Sequence, residues 1–417
     1  MTVPPDVKAF VRRETERLAA RPPQLPFAGD EYAARLTRLR ARMLEDGIDV
    51  LVLTAPDSMC WLHGYQSRWY RAHSSTALPP VQCTVVAADN PMFLIETRFH
   101  EELVRLTSCI TDFRGLPDTG LDHEAGAQDY ARFLVEQLRH EGWAGSVVGL
   151  EAWSCVPNPA VFRVMEDGLT AAGCRVVDAT STIRSVRRLK SPAELAVIEK
   201  AQAAGDSGLL ALQAGVHPGM TELEAWNLFM TGQIAGGGEP TAIHETVAVG
   251  PPEPLLHTVS SRRPIQPGDY FHADICGAVD RYHARACRTY FMGDPPAELT
   301  AITEILTGAF DALAETARIG TPFDEVTARL AEYYRDAGAP EGESFMGGYE
   351  LGIAFPPDWV GEFCWGTGSD HAGAVVEAGL VTNVESCYFL AMVDTVVFEE
   401  SGPRLLCGVP RDILACG

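Results

Sequence analysis

Apolar and polar positions follow two different periods along this chain, and the change from one to the other divides it. Residues 31–45 (EYAARLTRLRARMLE) carry apolar side chains at helical spacing, and Gly47 closes the pattern ahead of the β-rich run IDVLVLT. A helix therefore feeds a buried strand. Further short apolar runs, VQCTVVAA, PMFLIE, SVVGLE and CRVVDA, surround a helical stretch at QDYARFLVEQLRHEG. Strands interleaved with helices predict an α/β domain with a mixed or parallel sheet over residues 1–185.

The connection lies in IRSVRRLKSPAELAVIEKAQ. Ser191 reads as a helix N-cap, with Pro192 at the first helical position and Glu194 three residues on, a pattern that satisfies the orphan N–H groups of a helix start. A second helix is predicted near Thr221 (TELEAWNLFMTGQI) and ends at GGGEP. After Gly250 the texture turns to strands, YFHADICGAV, RYHARACRTYFMG, LVTNVESCYFL and MVDTVVFEE, with two amphipathic helices in the middle. A larger α+β domain is expected over residues 186–417. No repeat of solenoid period is present.

Charge narrows the function. With 33 Lys+Arg against 56 Asp+Glu, the formal charge of −23 argues against a nucleic-acid or anionic-membrane partner, because phosphate contact needs clustered cations. No run reaches the ~18 apolar residues that span a bilayer, and the N-terminal stretch is amphipathic and charged where a signal peptide is apolar. A cytoplasmic protein is expected. The 11 cysteines are odd in number and form no CxxC pair, which fits reduced, mostly buried thiols.

Chemistry is sought where polar residues interrupt apolar strands. His272 and Asp274 in YFHADIC are two apart and share one sheet face in a regular strand. Glu385 in LVTNVES is a second strand carboxylate, and RYHAR adds Tyr282, His283 and Arg285. His257 sits in the Pro-rich segment GPPEPLLHTVSS, where a loop imidazole can transfer protons near neutrality. Gly347 and Gly348 precede Tyr349 and Glu350, either for close approach to a ligand or as a turn. In SMCWLHGYQSRWYRAHSS the aromatics Trp61, Tyr65, Trp69 and Tyr70 are domain core or cover a site.

The ordered set RRLKSPAEL, GPPEPLLH, RPIQPGDYFHADICGAVDRYHARACRT, GLVTNVES and VDTVVFEE resembles the pita-bread fold family of creatinase, prolidase, aminopeptidase P and methionine aminopeptidase, over about residues 30–414. The resemblance implies a creatinase-like N-terminal α/β domain, a pita-bread catalytic domain and a homodimer. The family's peptidases hold two metal ions with two aspartates, one histidine and two glutamates. Asp274 and Glu385 match two of these positions, whereas Arg285, Tyr349 and Val393 occupy the other three. Two divalent cations ~3.5–4 Å apart need more anionic ligands than two carboxylates. Arg285 adds a permanent positive charge.

The RYH…CRT strand, the GY…PPDW segment (Tyr349–Trp359) and the terminal VPR (Val409–Arg411) are similar to the creatinase and ectoine hydrolase branch, which breaks C–N bonds without the peptidase metals. A hydrolase that needs no metal or other cofactor is expected, acting on a C–N bond of a small polar cyclic amidine, guanidino or amide compound. His257 is expected to move the proton, and Asp274 and Glu385 to hold a cationic nitrogen or orient water. Arg285 is expected to bind a carboxylate or oxyanion, and Tyr349 to donate a hydrogen bond; Tyr282, His283 and Glu350 complete the expected pocket. Cys287 permits a variant in which a thiolate, favoured by Arg285 or Arg288, attacks the substrate carbon. The resemblance also brings the N-terminal segment toward the catalytic cleft, making Arg68, Trp69, Arg71 and His73 candidate substrate ligands. The alternatives are lyase chemistry on the same fold, or a peptidase-like protein without activity.

Overall fold

The computed structural model describes residues 3–70, 82–89, 91–116, 123–251, 257–339, 342–369, 371 and 373–417. The chain divides into two compact units, Met1–Arg187 and Arg188–Gly417.

In the first unit the order is α1 (Pro5–Ala19), α2 (Gly29–Glu45), β1 (Val50–Leu53), α3 (Pro56–His63), β2 (Cys83–Ala87), β3 (Phe93–Thr97), α4 (Glu101–Thr107), β4 (Phe113–Leu116), α5 (His123–His140), β5 (Val147–Leu150), α6 (Pro159–Ala171), β6 (Arg175–Asp178) and α7 (Thr180–Arg188). The six strands form one sheet, β4-β3-β2-β1-β5-β6. It is mixed, since β2 runs antiparallel to both neighbours and the other pairs are parallel. Burying an apolar strand face against α5 and α6 supplies the core, with Val52, Val85, Ile95, Leu134 and Met165 fully excluded from water.

The second unit begins with α8 (Pro192–Gly215) and α9 (Glu222–Ala235). Both start in capping boxes, Ser191 with Glu194 and Thr221 with Glu224, so each helix start satisfies its own free N–H groups. Then come β7 (Thr246–Val249), β8 (Tyr270–Val279), β9 (Tyr282–Met292), α10 (Ala297–Thr316), α11 (Phe323–Asp336), β10 (Phe345–Tyr349), β11 (Cys364–Gly366), β12 (Val381–Tyr388), β13 (Leu390–Glu399), β14 (Gly402–Leu405) and β15 (Leu414–Cys416). They make one nine-stranded sheet whose main path is β11-β10-β12-β13-β9-β8-β7.

One face of this sheet packs on helices. Leu209, Leu212 and Phe229 of α8 and α9 meet Phe271, Ile275 and Tyr290, while Leu306, Phe310 and Leu330 of α10 and α11 meet Val384, Val396 and Phe398. The contact is close enough that a Cβ at Gly277 would lie 1.8 Å from the Ala201 carbonyl oxygen, so only glycine lets α8 reach β8. Arg288 belongs to this helix-facing side, fully buried and paired at 2.6 Å with Asp394, which also takes Arg411 at 3.1 Å. Because strand side chains alternate, the intervening residues of β8, β9, β12 and β13 all emerge on the other face. Among the described residues no helix is long and apolar enough to cross a membrane.

Candidate active site

Register places the site. Across the sheet, Thr246 pairs with Asp274, Asp274 with Cys287, Cys287 with Val393, Val393 with Glu385, and Glu385 with Gly347. Asp274 and Glu385, more than a hundred residues apart in sequence, thus stand in one transverse row on the face away from the helices. Two residues along the strands, the next row contains Cys276, Arg285, Asn383 and Tyr349.

Arg285 joins the rows. Its Nε and Nη2 donate to the two oxygens of Asp274 at 3.0 and 2.8 Å, a bidentate fork, while Nη1 donates to Glu385 Oε1 and, at 2.6 Å, to the Tyr349 hydroxyl. The backbone is fixed as well: Arg285 N–H donates to Thr395 Oγ1 at 2.7 Å, and that hydroxyl donates back to the Arg285 carbonyl at 2.9 Å. Burial opposes the guanidinium charge, but Asp274, with Tyr349 and Glu385, outweighs it and holds the group well above its ordinary range. The cation is permanent. Two carboxylates against one guanidinium leave this cluster with one net negative charge.

The remaining atoms point to recognition of a donor and an acceptor. Glu385 Oε1 also accepts from Asn383 Nδ2 at 2.8 Å, whereas Oε2 has no hydrogen-bond partner among the described residues. The Tyr349 oxygen accepts from both Arg285 Nη1 and Trp359 Nε1, the latter at 2.9 Å, which leaves its own hydrogen to donate. Burial pushes this phenol up, Arg285 opposes and Glu385 adds to the push, so it stays protonated. Tyr349 is seated by its N–H to Asn383 Oδ1 at 2.7 Å, and a Cβ on Gly348 would come 1.8 Å from the Asn383 carbonyl oxygen. The glycine pair therefore serves close approach of two strands, with Tyr349 at its edge.

His257 is exposed, just ahead of a segment strapped along β7. Thr246 Oγ1 donates to the Thr258 carbonyl at 2.9 Å, Val247 N–H to Ser260 Oγ at 2.8 Å, and Glu222 accepts from Ser261 N–H at 2.8 Å and Ser261 Oγ at 2.6 Å. Since Thr246 pairs with Asp274, His257 is tethered one strand from that carboxylate.

Other expected residues lie elsewhere. Tyr282 emerges on the helix-facing side and donates to Glu194 Oε1 at 2.9 Å. His283 shares the face of Arg285, but its ring is spent on backbone: Nδ1–H donates to the Arg281 carbonyl at 2.9 Å and Nε2 accepts from Ala242 N–H at 3.0 Å. Burial, with the charge of Arg281, pushes it down to about 3. Glu350 pairs with buried Lys190 rather than with Arg285. Cys287 is sealed among Cys387, Ala391 and Val393, and burial, then the charge of Asp274, pushes its thiol well up, which does not support a nucleophilic thiolate. Four of the five N–H donors of the Arg285 guanidinium go to its own neighbours Asp274, Glu385 and Tyr349 and not to a substrate carboxylate. In the first unit Trp61, Tyr65 and Tyr70 are buried, Arg68 and Trp69 are exposed, and Arg71 and His73 lie outside the described residues. Sequence reasoning missed Trp359, Asn383 and Thr395, whose roles depend on cross-strand register; the GY…PPDW motif contained Trp359 without indicating its partner.

The residues present do not fit a dinuclear metal centre. Both remaining carboxylates are engaged by a guanidinium, and Tyr349 and Val393 supply no strong ligand at the other two positions. Among the described residues no group of three or more His, Cys, Asp or Glu is arranged to hold a metal ion.

Comparisons with known proteins agree with this architecture. Residues 35–189 match the Creatinase/Prolidase N-terminal domain, and residues 196–402 match Metallopeptidase family M24. The chain is similar to an ectoine hydrolase from Halomonas elongata, 27% identical over 93% of this chain and 98% of that protein. It is 25% identical to a probable dipeptidase PepE of Mycobacterium tuberculosis over 78% of this chain and 81% of that one. The crystal structure of an X-Pro aminopeptidase from Thermotoga maritima superposes with a TM-score of 0.75 at 19% identity, covering 91% of this chain and 99% of the other.

Proposed function

The chain belongs to the pita-bread family, a creatinase/prolidase N-terminal domain followed by a metallopeptidase M24 domain, and from that premise we propose a metal-independent hydrolase of a C–N bond in a small, polar, cationic substrate. A cyclic amidine, guanidino or amide compound is the substrate class. Membership supports enzymatic activity, and the likeness to an ectoine hydrolase supports the amidine choice.

The observation that carries the proposal is the Arg285 guanidinium bonded to both Asp274 and Glu385. It supplies internally the positive charge that metal ions supply in the peptidases, and it leaves one negative charge for one cationic substrate nitrogen. Glu385 Oε2 is the atom that takes this nitrogen. Tyr349 O–H donates to the oxygen that develops on the attacked carbon, in a buried setting where a preorganised donor is worth most. His257 carries the proton from water to the leaving nitrogen. Asp274 and Asn383 hold the arginine and the glutamate in place. Cytoplasmic location and a homodimer belong to the same proposal.

The test is hydrolysis of a panel of cyclic amidines, guanidino acids and short amides in 18O-labelled water. Label is expected in the newly formed product oxygen, an amide carbonyl from an amidine, a urea carbonyl from a guanidine or a carboxylate from an amide, with turnover falling by ~10²–10⁴ in His257→Ala. An unsaturated product without label would replace hydrolysis by elimination.

A further inference from the structure

We infer that His272 holds the attacking water through the lone pair on its Nε2. This rests on the hydrolase reading and goes beyond it by naming the water's acceptor. His272 lies on β8 two residues before Asp274, so both side chains leave the sheet on the same face. In register it stands between Ala248 of β7 and Thr289 of β9.

The ring's hydrogen bonds define its tautomer. Nδ1 lies 3.4 Å from the Gly250 carbonyl oxygen, which can only accept, so the proton is on Nδ1 and Nε2 presents a lone pair. That nitrogen is shielded from solvent, yet among the described residues it has no hydrogen-bond partner. Four histidines are buried among the described residues, and the other three spend both ring nitrogens. His63 uses Ser108 and Thr84, His283 uses Arg281 and Ala242, and His371 uses Asp324 and Gly366. An unmet buried acceptor is an exception that calls for a donor. A single water is the smallest donor that can meet it. Burial lowers the affinity of His272 for a proton, against the charges of Asp274 on its own strand and Glu222 on α9, so the imidazole stays a neutral acceptor.

In the reaction, one O–H of the water stays on Nε2 and fixes the oxygen toward the amidine carbon. The oxygen bonds to that carbon as the C=N pair moves onto nitrogen. The proton of the other O–H passes to His257 and on to the leaving nitrogen, which departs with the C–N pair. The remaining hydroxyl proton ends on the released amine as the carbonyl forms, leaving an amide and an ammonium ion.

A crystal of the wild-type protein soaked with acetamidinium is expected to show an ordered water at hydrogen-bond distance from Nε2. A protein donor there, or no water, would overturn the inference. In kinetics on a cyclic amidine, His272→Leu is expected to lower kcat by about 10²-fold with KM unchanged, as misplacement of a reactant does, and His272→Gln, which keeps an acceptor, to recover part of it. Undiminished kcat in His272→Leu equally defeats it. Failure of the hydrolase reading looks different, because the wild-type protein then hydrolyses nothing on the panel; failure of this inference leaves wild-type turnover intact and His272→Leu as fast. Should His272→Leu not fold, the crystal alone decides.

Discussion

Replacing Arg285 by methionine removes the cation and little volume, and it leaves Asp274 and Glu385 buried without their partner. The native guanidinium makes a bidentate pair to Asp274 at 3.0 and 2.8 Å, a bond to Glu385 and a 2.6 Å bond to Tyr349, all at 3% exposure. Breaking one side of a buried ion pair costs about 3–5 kcal/mol, chiefly because the other side stays charged and dry. For a unit of this size each kcal/mol moves the melting temperature by about 2–4 °C, so a fall of roughly 6–20 °C is expected. The cause is separable from lost packing. Adding Asp274→Asn and Glu385→Gln to Arg285→Met removes the stranded charges, and the triple variant is expected to regain most of the loss. Thermal and urea unfolding of the four proteins (wild type, single, double carboxamide and triple) measure this. A loss below ~1 kcal/mol in Arg285→Met, or a triple variant no more stable than the single, would refute the charge argument.

Three further outcomes follow from the same geometry. Tyr349→Phe removes the hydroxyl that Arg285 and Trp359 orient, and kcat is expected to fall by about 10²-fold with KM little changed; full kcat would take Tyr349 out of the chemistry. Gly348→Ala drives a Cβ against the Asn383 carbonyl at 1.8 Å, so β10 and β12 must part and the melting temperature drop, by at least the ~1–3 kcal/mol of ordinary overpacking. His63 and His283, each pushed by burial from 6.5 to about 3, bind a proton in the unfolded chain below pH 6.5 but not in the folded one above about 3. Their contribution is complete above pH 6.5 and shrinks as pH falls, by about 2 kcal/mol each at pH 5, and His283→Gln is expected to flatten the slope of stability against pH in that window.

How far the sequence could be read depends on the range of the interaction. Ser191, Glu194, Thr221 and Glu224 work within one helical turn, and their capping boxes are legible as local patterns. Period-2 alternation places His272 with Asp274, and the same parity argument separates Tyr282 from Arg285, which the expected pocket had grouped together. His283 passes the parity test and still leaves the site, because the neighbouring Arg281 carbonyl and the distant Ala242 N–H take its ring nitrogens. The Arg285 fork required the pairing of Cys287 with Val393, which sets β9 beside β13, and register between strands a hundred residues apart is not written in either strand alone. Ordered motifs showed where the carboxylates stand. What they hold, an arginine of the same chain, came from the fold.

The central claim is that Arg285 supplies the cation of this site. Its most direct test is elemental analysis of protein purified without added metal, combined with turnover of a cyclic amidine before and after exhaustive chelation. Substoichiometric metal and an unchanged rate are the outcome expected for a guanidinium-centred site. One or two tightly bound equivalents of zinc, manganese or iron, with activity lost on chelation and restored by the metal, would contradict it.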